Sequence, residues 1–201
     1  ACSACSRAIV LTAYGHAKIE WGDKVFNLSP SFVNIAKLGN PKEIIETFKD
    51  FVSSTNLIVK FSIALNVLEC CSDKEIPRTL TGGVKFSDKQ QKFMIISPAH
   101  GEAMVSDIIT LAEHCLIHGV CGKVKSKGKG EPVKEFDAYS YMELARIHLP
   151  NVTLDDASKM TMTEFLRLMD AKFPTERNEN EASPDEELAL FEWINNDNKA
   201  H

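Results

Sequence analysis

Asn56 to Cys71 is a long apolar run interrupted by few charges, and it restricts the fold more tightly than any other segment. It falls short of the roughly 20 residues that a helix needs to cross a bilayer, so the rest of the chain must bury it. Leu57, Phe61, Leu65 and Leu68 recur at helical spacing and predict a core helix carrying them on one stripe. The remainder of the 201 residues can supply the cover. Apolar residues are 44% and charged residues 25%, values of an ordinary globular chain that exclude a wholly disordered, collagen-like or membrane polypeptide.

Charge is distributed unevenly. The net of −5 comes from 23 basic and 28 acidic residues. Residues 174–201 hold eight acids and two bases, a net of −6, which leaves +1 for residues 1–173. A near-neutral body with an acidic tail has neither the basic field of a general nucleic-acid binder nor a basic membrane-binding face. The apolar stretch Ala8–Leu11 is too short for the core of a signal peptide. The chain opens on a small residue, as after removal of an initiator Met, so a cytosolic protein with reduced cysteines is expected.

The segments on either side of the core helix predict an α+β fold, mostly helical. Ala8–Tyr14 is rich in strand formers. Ala17–Trp21 and Lys24–Leu28 flank Gly22-Asp23, the composition of a two-residue hairpin loop. Ser29-Pro30 reads as a cap with Pro at the first helical position, opening a short helix that Gly39 ends. Asn40-Pro41-Lys42-Glu43 starts a second helix, with Phe48, Phe51 and Val52 on its apolar face. Val84–Phe86 and Lys92–Ile96 predict a second short hairpin. Ser97-Pro98 predicts a helix to His118 ended by Gly119, and residues 122–134 a mobile Lys/Gly loop. Asp137, Thr153 with Asp156, and Thr161 with Glu164 each predict a capped helix start. The expected divisions are a globular body over 1–174, an acidic linker over 175–183, and a C-terminal amphipathic helix and tail over 184–201, opened by Ser183-Pro184-Asp185-Glu186.

Two stretches then look familiar together. One is the N-terminal hairpin leading into Leu28-Ser29-Pro30-Ser31-Phe32-Val33-Asn34-Ile35-Ala36-Lys37-Leu38-Gly39 and Pro41–Glu46. The other runs from Phe136-Asp137-Ala138-Tyr139 through Ala145–Leu149 to Met160–Phe165 and Ala171-Lys172-Phe173-Pro174. With Leu111–Gly122 between them, they resemble the tail assembly chaperones of long-tailed bacteriophages over most of residues 8–174. The shared motifs are structural, and none is a catalytic signature. The resemblance implies a non-enzymatic protein of the host bacterial cytoplasm, late in infection. Such proteins hold the tape-measure protein soluble while tail-tube subunits polymerise around it. The tape-measure and tail-tube proteins are therefore the expected partners, with a homo-oligomer a further expectation. A tape measure is long, apolar and helical, and its escort needs apolar grooves or short amphipathic helices. Leu188, Phe191, Trp193 and Ile194 of the terminal segment are the expected partner-binding residues; the competing reading folds that helix back onto its own body.

Chemistry-bearing residues are few. Cys2-x-x-Cys5 is half a tetrahedral zinc site, and Cys70-Cys71 is the expected source of the other half, giving a structural zinc with no catalytic position. His114, Cys115, His118 and Cys121 form a second donor cluster, with the two histidines at i, i+4 on one face. The competing readings are small buried hydrophobes for Cys70, Cys71 and Cys115 and a polar face for the histidines. Lys123, Lys125, Lys127, Lys129 and Lys134 alternate with Gly and Ser and lack the interleaved aromatics of a nucleic-acid groove. No G-x-S-x-G, H-E-x-x-H, P-loop or dinucleotide motif occurs. The expected function is a non-enzymatic escort. The alternatives are a structural tail or virion component retained in the particle and a small zinc-stabilised nucleic-acid-binding protein.

Overall fold

The N-terminal residues alternate in the way a half-buried sheet demands. The computed structural model describes residues 7–21, 23–96, 102–123 and 134–174. Strands β1 (Arg7–Leu11), β2 (Ala17–Trp21) and β3 (Lys24–Leu28) pair antiparallel in the order β1-β2-β3. The register sets Ile9, Ile19 and Phe26 side by side, and Leu11, Ala17 and Leu28 likewise. These residues share one face, and in β2 and β3 they are buried in the core. The other face carries Lys18 and Glu20, paired with each other.

Helical segments cover the apolar face. Helix α1 (Phe32–Ile35) runs into a 3₁₀ turn, Ala36–Leu38. It starts two residues later than Ser29-Pro30 predicts, because the Ser29 carbonyl that would accept the first helical bond accepts from the Asn34 side chain at 2.9 Å. The Ser29 amide donates to the Cys71 carbonyl at 2.8 Å, and Ser31 bridges Thr161. Helix α2 (Pro41–Ser53) starts as expected: Asn40 accepts from the Lys42 and Glu43 amides, and Glu43 accepts from the Asn40 amide. Such a cap stabilises a helix by about 1 kcal/mol. Its buried residues are Ile44, Ile45 and Phe51, whereas Val52 is exposed.

Helix α3 (Leu57–Cys71) is the expected core helix, rotated from the predicted stripe. Phe61, Ala64, Val67, Leu68 and Cys71 are buried, and Leu57 lies exposed in the first turn. A helix so uniformly apolar does not announce its inner face by periodicity; α5 (Glu102–Leu116) packs alongside it, and Cys71 meets Cys115 there. Between them lie α4 (Arg78–Thr81) and the hairpin β4 (Gly83–Ser87) with β5 (Lys92–Ile96).

Helix α5 does not stop at Gly119. It widens into a π turn, Ile117–Cys121, and the residue with positive φ that ends it is Gly122, at 74°. Gly119 serves packing instead: a Cβ there would come within 2.7 Å of the Ile35 side chain. Helices α6 (Ala138–His148), α7 (Leu154–Lys159) and α8 (Met162–Lys172) open at the expected caps, Asp137, Thr153 with Asp156, and Thr161 with Glu164. Phe32 sits in an aromatic cluster with Phe136 just ahead of α6, Tyr141 of α6 and Phe165 of α8.

The fold is α+β. No described helix is long and apolar enough to cross a membrane. Two compact units divide the chain, Ala1–Met169 and Asp170–His201. Cys2, Cys5, the Ser97-Pro98 helix start, Lys125, Lys127, Lys129, the acidic linker and the terminal Leu188, Phe191, Trp193 and Ile194 lie outside the described residues.

Candidate functional site

The thiols come first, because the sequence singles them out as ligands. Cys70 and Cys71 close α3, and adjacent helical residues point in different directions. The half-buried Cys70 has its Sγ 3.9 Å from Asn66 Oδ1. Cys71 points inward and hydrogen-bonds with the buried Cys115 of α5; that bond and burial push its thiol well above the ordinary range. A thiol held protonated is a poor metal ligand. Cys115 is thus drawn out of the expected His114–Cys121 cluster and toward α3, while Cys121 stays exposed in the π turn. Among the described residues no three His, Cys, Asp or Glu side chains are placed to hold a metal ion.

The histidines do meet. His114 and His118 share a face of α5 and the π turn, with ring centroids 4.4 Å apart. The sequence reading missed His16, which the β1–β2 turn brings to the same seam. Thr163 Oγ1 accepts the Lys123 amide at 2.9 Å and lies 2.9 Å from His118 Nδ1. Burial, with His114, Lys123 and Arg167 adding repulsion, lowers His118 to about 4. Burial lowers His114 as well, and its Nε2 is buried without a hydrogen-bond partner among the described residues. His16 Nε2 lies 3.5 Å from Glu164 Oε1, while Glu164 Oε2 accepts the Thr161 amide. Burial alone would raise Glu164; the bonds from His16 and Thr161 outweigh it and hold the carboxyl below its usual value.

This seam clamps the β1–β2 turn to the helices. Thr161 Oγ1 donates to the Tyr14 carbonyl at 2.8 Å. Gly15, at φ 97°, passes so close that a Cβ there would stand 2.2 Å from His118 Cβ. Imidazoles beside hydroxyls suit a packed joint: His118, Thr161 and Thr163 are buried, while His114, His16 and Glu164 are partly exposed.

Exposed apolar surface is concentrated elsewhere. On the β4–β5 hairpin, Phe86 lies opposite Phe93 with ring centroids 5.2 Å apart. Phe86, Phe93, Met94 and Ile96 are 41%, 58%, 39% and 51% exposed. Val84 and Ile95, on the same face as the phenylalanines, pack against the core and fix the base of the hairpin. Beside it lies a cleft of about 330 Å³, with Leu65, Ile76 and Val84 in its wall and Glu69, Glu75 and Arg78 around it. Paired aromatics at a strand register with lysines nearby make an amphipathic ridge (Lys85, Lys89 and Lys92 belong to the same hairpin). The apolar run Phe93–Ile96 identifies a strand from sequence, but whether its side chains find cover depends on what packs above them.

Residues 53–186 match the model of a family described as "Family of unknown function (DUF6246)". The chain belongs to this family. No curated protein matches it, and no solved structure does. The DUF6246 segment contains the hairpin ridge, the cleft, both clamped histidines and Glu164; the three-stranded sheet and His16 precede it.

Proposed function

We propose that this DUF6246 protein is a non-enzymatic tail assembly chaperone of a long-tailed bacteriophage, binding the tape-measure protein, tail-tube subunits, or both during tail morphogenesis. The observation that carries the reading is the phenylalanine pair on the β4–β5 hairpin. Two aromatic rings left in water at a rigid cross-strand position favour burial against another chain. The partner implied by the resemblance is a long apolar helical protein, whose exposed face such a ridge would cover at i, i+3, i+4 spacing. Lys85, Lys89 and Lys92 would steer acidic stretches of that partner toward the ridge. Leu188, Phe191, Trp193 and Ile194 remain proposed as a second contact, tethered by the acidic linker.

Co-expression with the tape-measure protein of the same phage tests the reading. The native chain should raise that protein's soluble yield, and Phe86→Ser with Phe93→Ser should abolish most of the gain while the variant itself stays folded. No gain with the native chain overturns the proposal. Recovery of the chain in purified virions by mass spectrometry replaces it with a retained tail component.

A further inference from the structure

The β1–β2 turn lies against the histidine seam and is held there by polar groups. Thr161 Oγ1 donates to the Tyr14 carbonyl, the Arg167 guanidinium stands 5.1 Å from the centroid of the Tyr14 ring, and His16 Nε2 lies 3.5 Å from Glu164 Oε1. His114 hydrogen-bonds to the backbone of Gly15 and His16. The packed rings of His114 and His118 face His16 from the turn, Lys123 from the end of the π turn and Arg167 from α8. Glu164, on the His16 side, supplies the opposing carboxylate. The turn itself puts little into the core. Gly15 is buried and His16 half-buried, while Thr12, Ala13 and Tyr14 are exposed; the buried Ala17 and Ile19 of β2 anchor the strand beyond it.

Gly15 is the piece that closes over His118, pressed so near that it has no room for a Cβ. Lifting residues 12–16 would return the rings to water and take His16 away from them. It would give up one buried glycine and a few polar contacts, whereas global unfolding gives up the whole core. Segments with few buried contacts open first. We infer that the β1–β2 turn is an acid-released latch: protonation of the paired His114 and His118 lifts residues 12–16 off the helices while the strands and the helical body stay folded. The direction follows from charge. Two imidazolium groups would join Lys123 and Arg167 at a seam where Glu164 offsets one of them. The closed seam resists the proton, and the opened one accepts it nearer the ordinary histidine value, so falling pH drives opening. His118, held at about 4 when the seam is closed, lets the opening equilibrium rise by up to roughly a hundredfold below pH 6.5. The two halves of the latch lie on opposite sides of the family boundary: Gly15 and His16 precede the matched segment, and His114, His118, Glu164 and Arg167 lie within it. The escort reading rests on the other hairpin and is independent of this one.

Hydrogen exchange of the full native chain between about pH 7 and pH 4.5, corrected for the intrinsic exchange rate, tests the latch. The Thr12 amide donates to the His16 carbonyl at 2.8 Å and the Gly15 amide to the Thr12 carbonyl at 3.2 Å, so both report on the turn; amides of α3 report on the body. Protection at Thr12 and Gly15 should fall by about tenfold more than protection in α3. His114→Gln with His118→Gln removes both titrating rings and should flatten that fall. Lys123→Gln changes an exposed site and removes a cation that repels both rings. It should shrink the fall several-fold and leave protection at neutral pH unchanged, which keeps the test open if the double variant folds poorly. Equal losses in the turn and in α3 mark global unfolding and overturn the inference. So does a turn whose protection is the same at both ends of the range, or a fall that persists undiminished in either variant.

Discussion

The two sheets of this protein solve the same problem differently. The N-terminal sheet has three strands, and its apolar residues in β2 and β3 disappear beneath helices. The β4–β5 hairpin has two strands, buries only the base of its apolar face, and leaves Phe86 and Phe93 in water. Phe26 and Phe93 are both strand phenylalanines, yet one is 2% exposed and the other 58%. Residue type and strand register do not distinguish them; what lies above the strand does. The first sheet serves stability and the second offers surface.

The widest separation should come from matched truncations. Phe26→Ala removes a buried ring and should cost about 3–5 kcal/mol in urea unfolding. Phe93→Ala should cost under about 1 kcal/mol, and comparable losses would erase the distinction. The joint between sheet and helices gives a somewhat smaller effect. Gly15→Ala forces a Cβ into His118 and a side chain into a left-handed backbone, so a loss of about 2–4 kcal/mol is expected. Hydrogen exchange should quicken in β1 and β2 before it does in β4 and β5.

Acid should loosen the same joint more gently. In the unfolded chain a histidine takes up its proton near pH 6.5, whereas folded His118 resists protonation to about 4. The depressed value means that stability is fully present above pH 6.5 and is lost as pH falls toward 4, in total by about 2–3 kcal/mol. Urea midpoints measured across that window should fall in the native chain and flatten in His118→Gln. An unchanged slope in that variant would remove His118 as the cause.

Local signals were legible where the chemistry is local. Asn40 with Glu43 and Thr153 with Asp156 satisfy their own helix ends, so sequence alone identifies them. Gly22-Asp23 likewise marks the β2–β3 connection between strands whose bounds match the expected ones. Signals failed where a distant segment competes for the same group. Ser29 caps no helix because its carbonyl, which would accept the first helical bond, accepts from the Asn34 side chain, while its amide is held by Cys71, forty-two residues onward. Gly119 looks like a terminator because the Ile35 side chain that needs its missing Cβ is eighty-four residues away. Cys71 is adjacent to Cys70 in the chain but meets Cys115 in the core. His16 shows no motif at all; only the turn at Gly15 delivers it to Glu164. The helical face of α3 stayed ambiguous because nearly every side of it is greasy.

The stitch between Asn27–Ser29 and Cys71–Asp73 crosses the boundary at which the family match begins. Residues 71–73 are inside the shared segment, while the strand that satisfies their main-chain polar groups is outside it. A cousin that kept only the common portion would inherit bare amides and carbonyls at the end of its central helix. It would have to recruit a replacement ribbon, from its own leader or from a neighbour, to quiet them. In this chain the N-terminal sheet supplies that ribbon, binding the matched segment to the residues ahead of it.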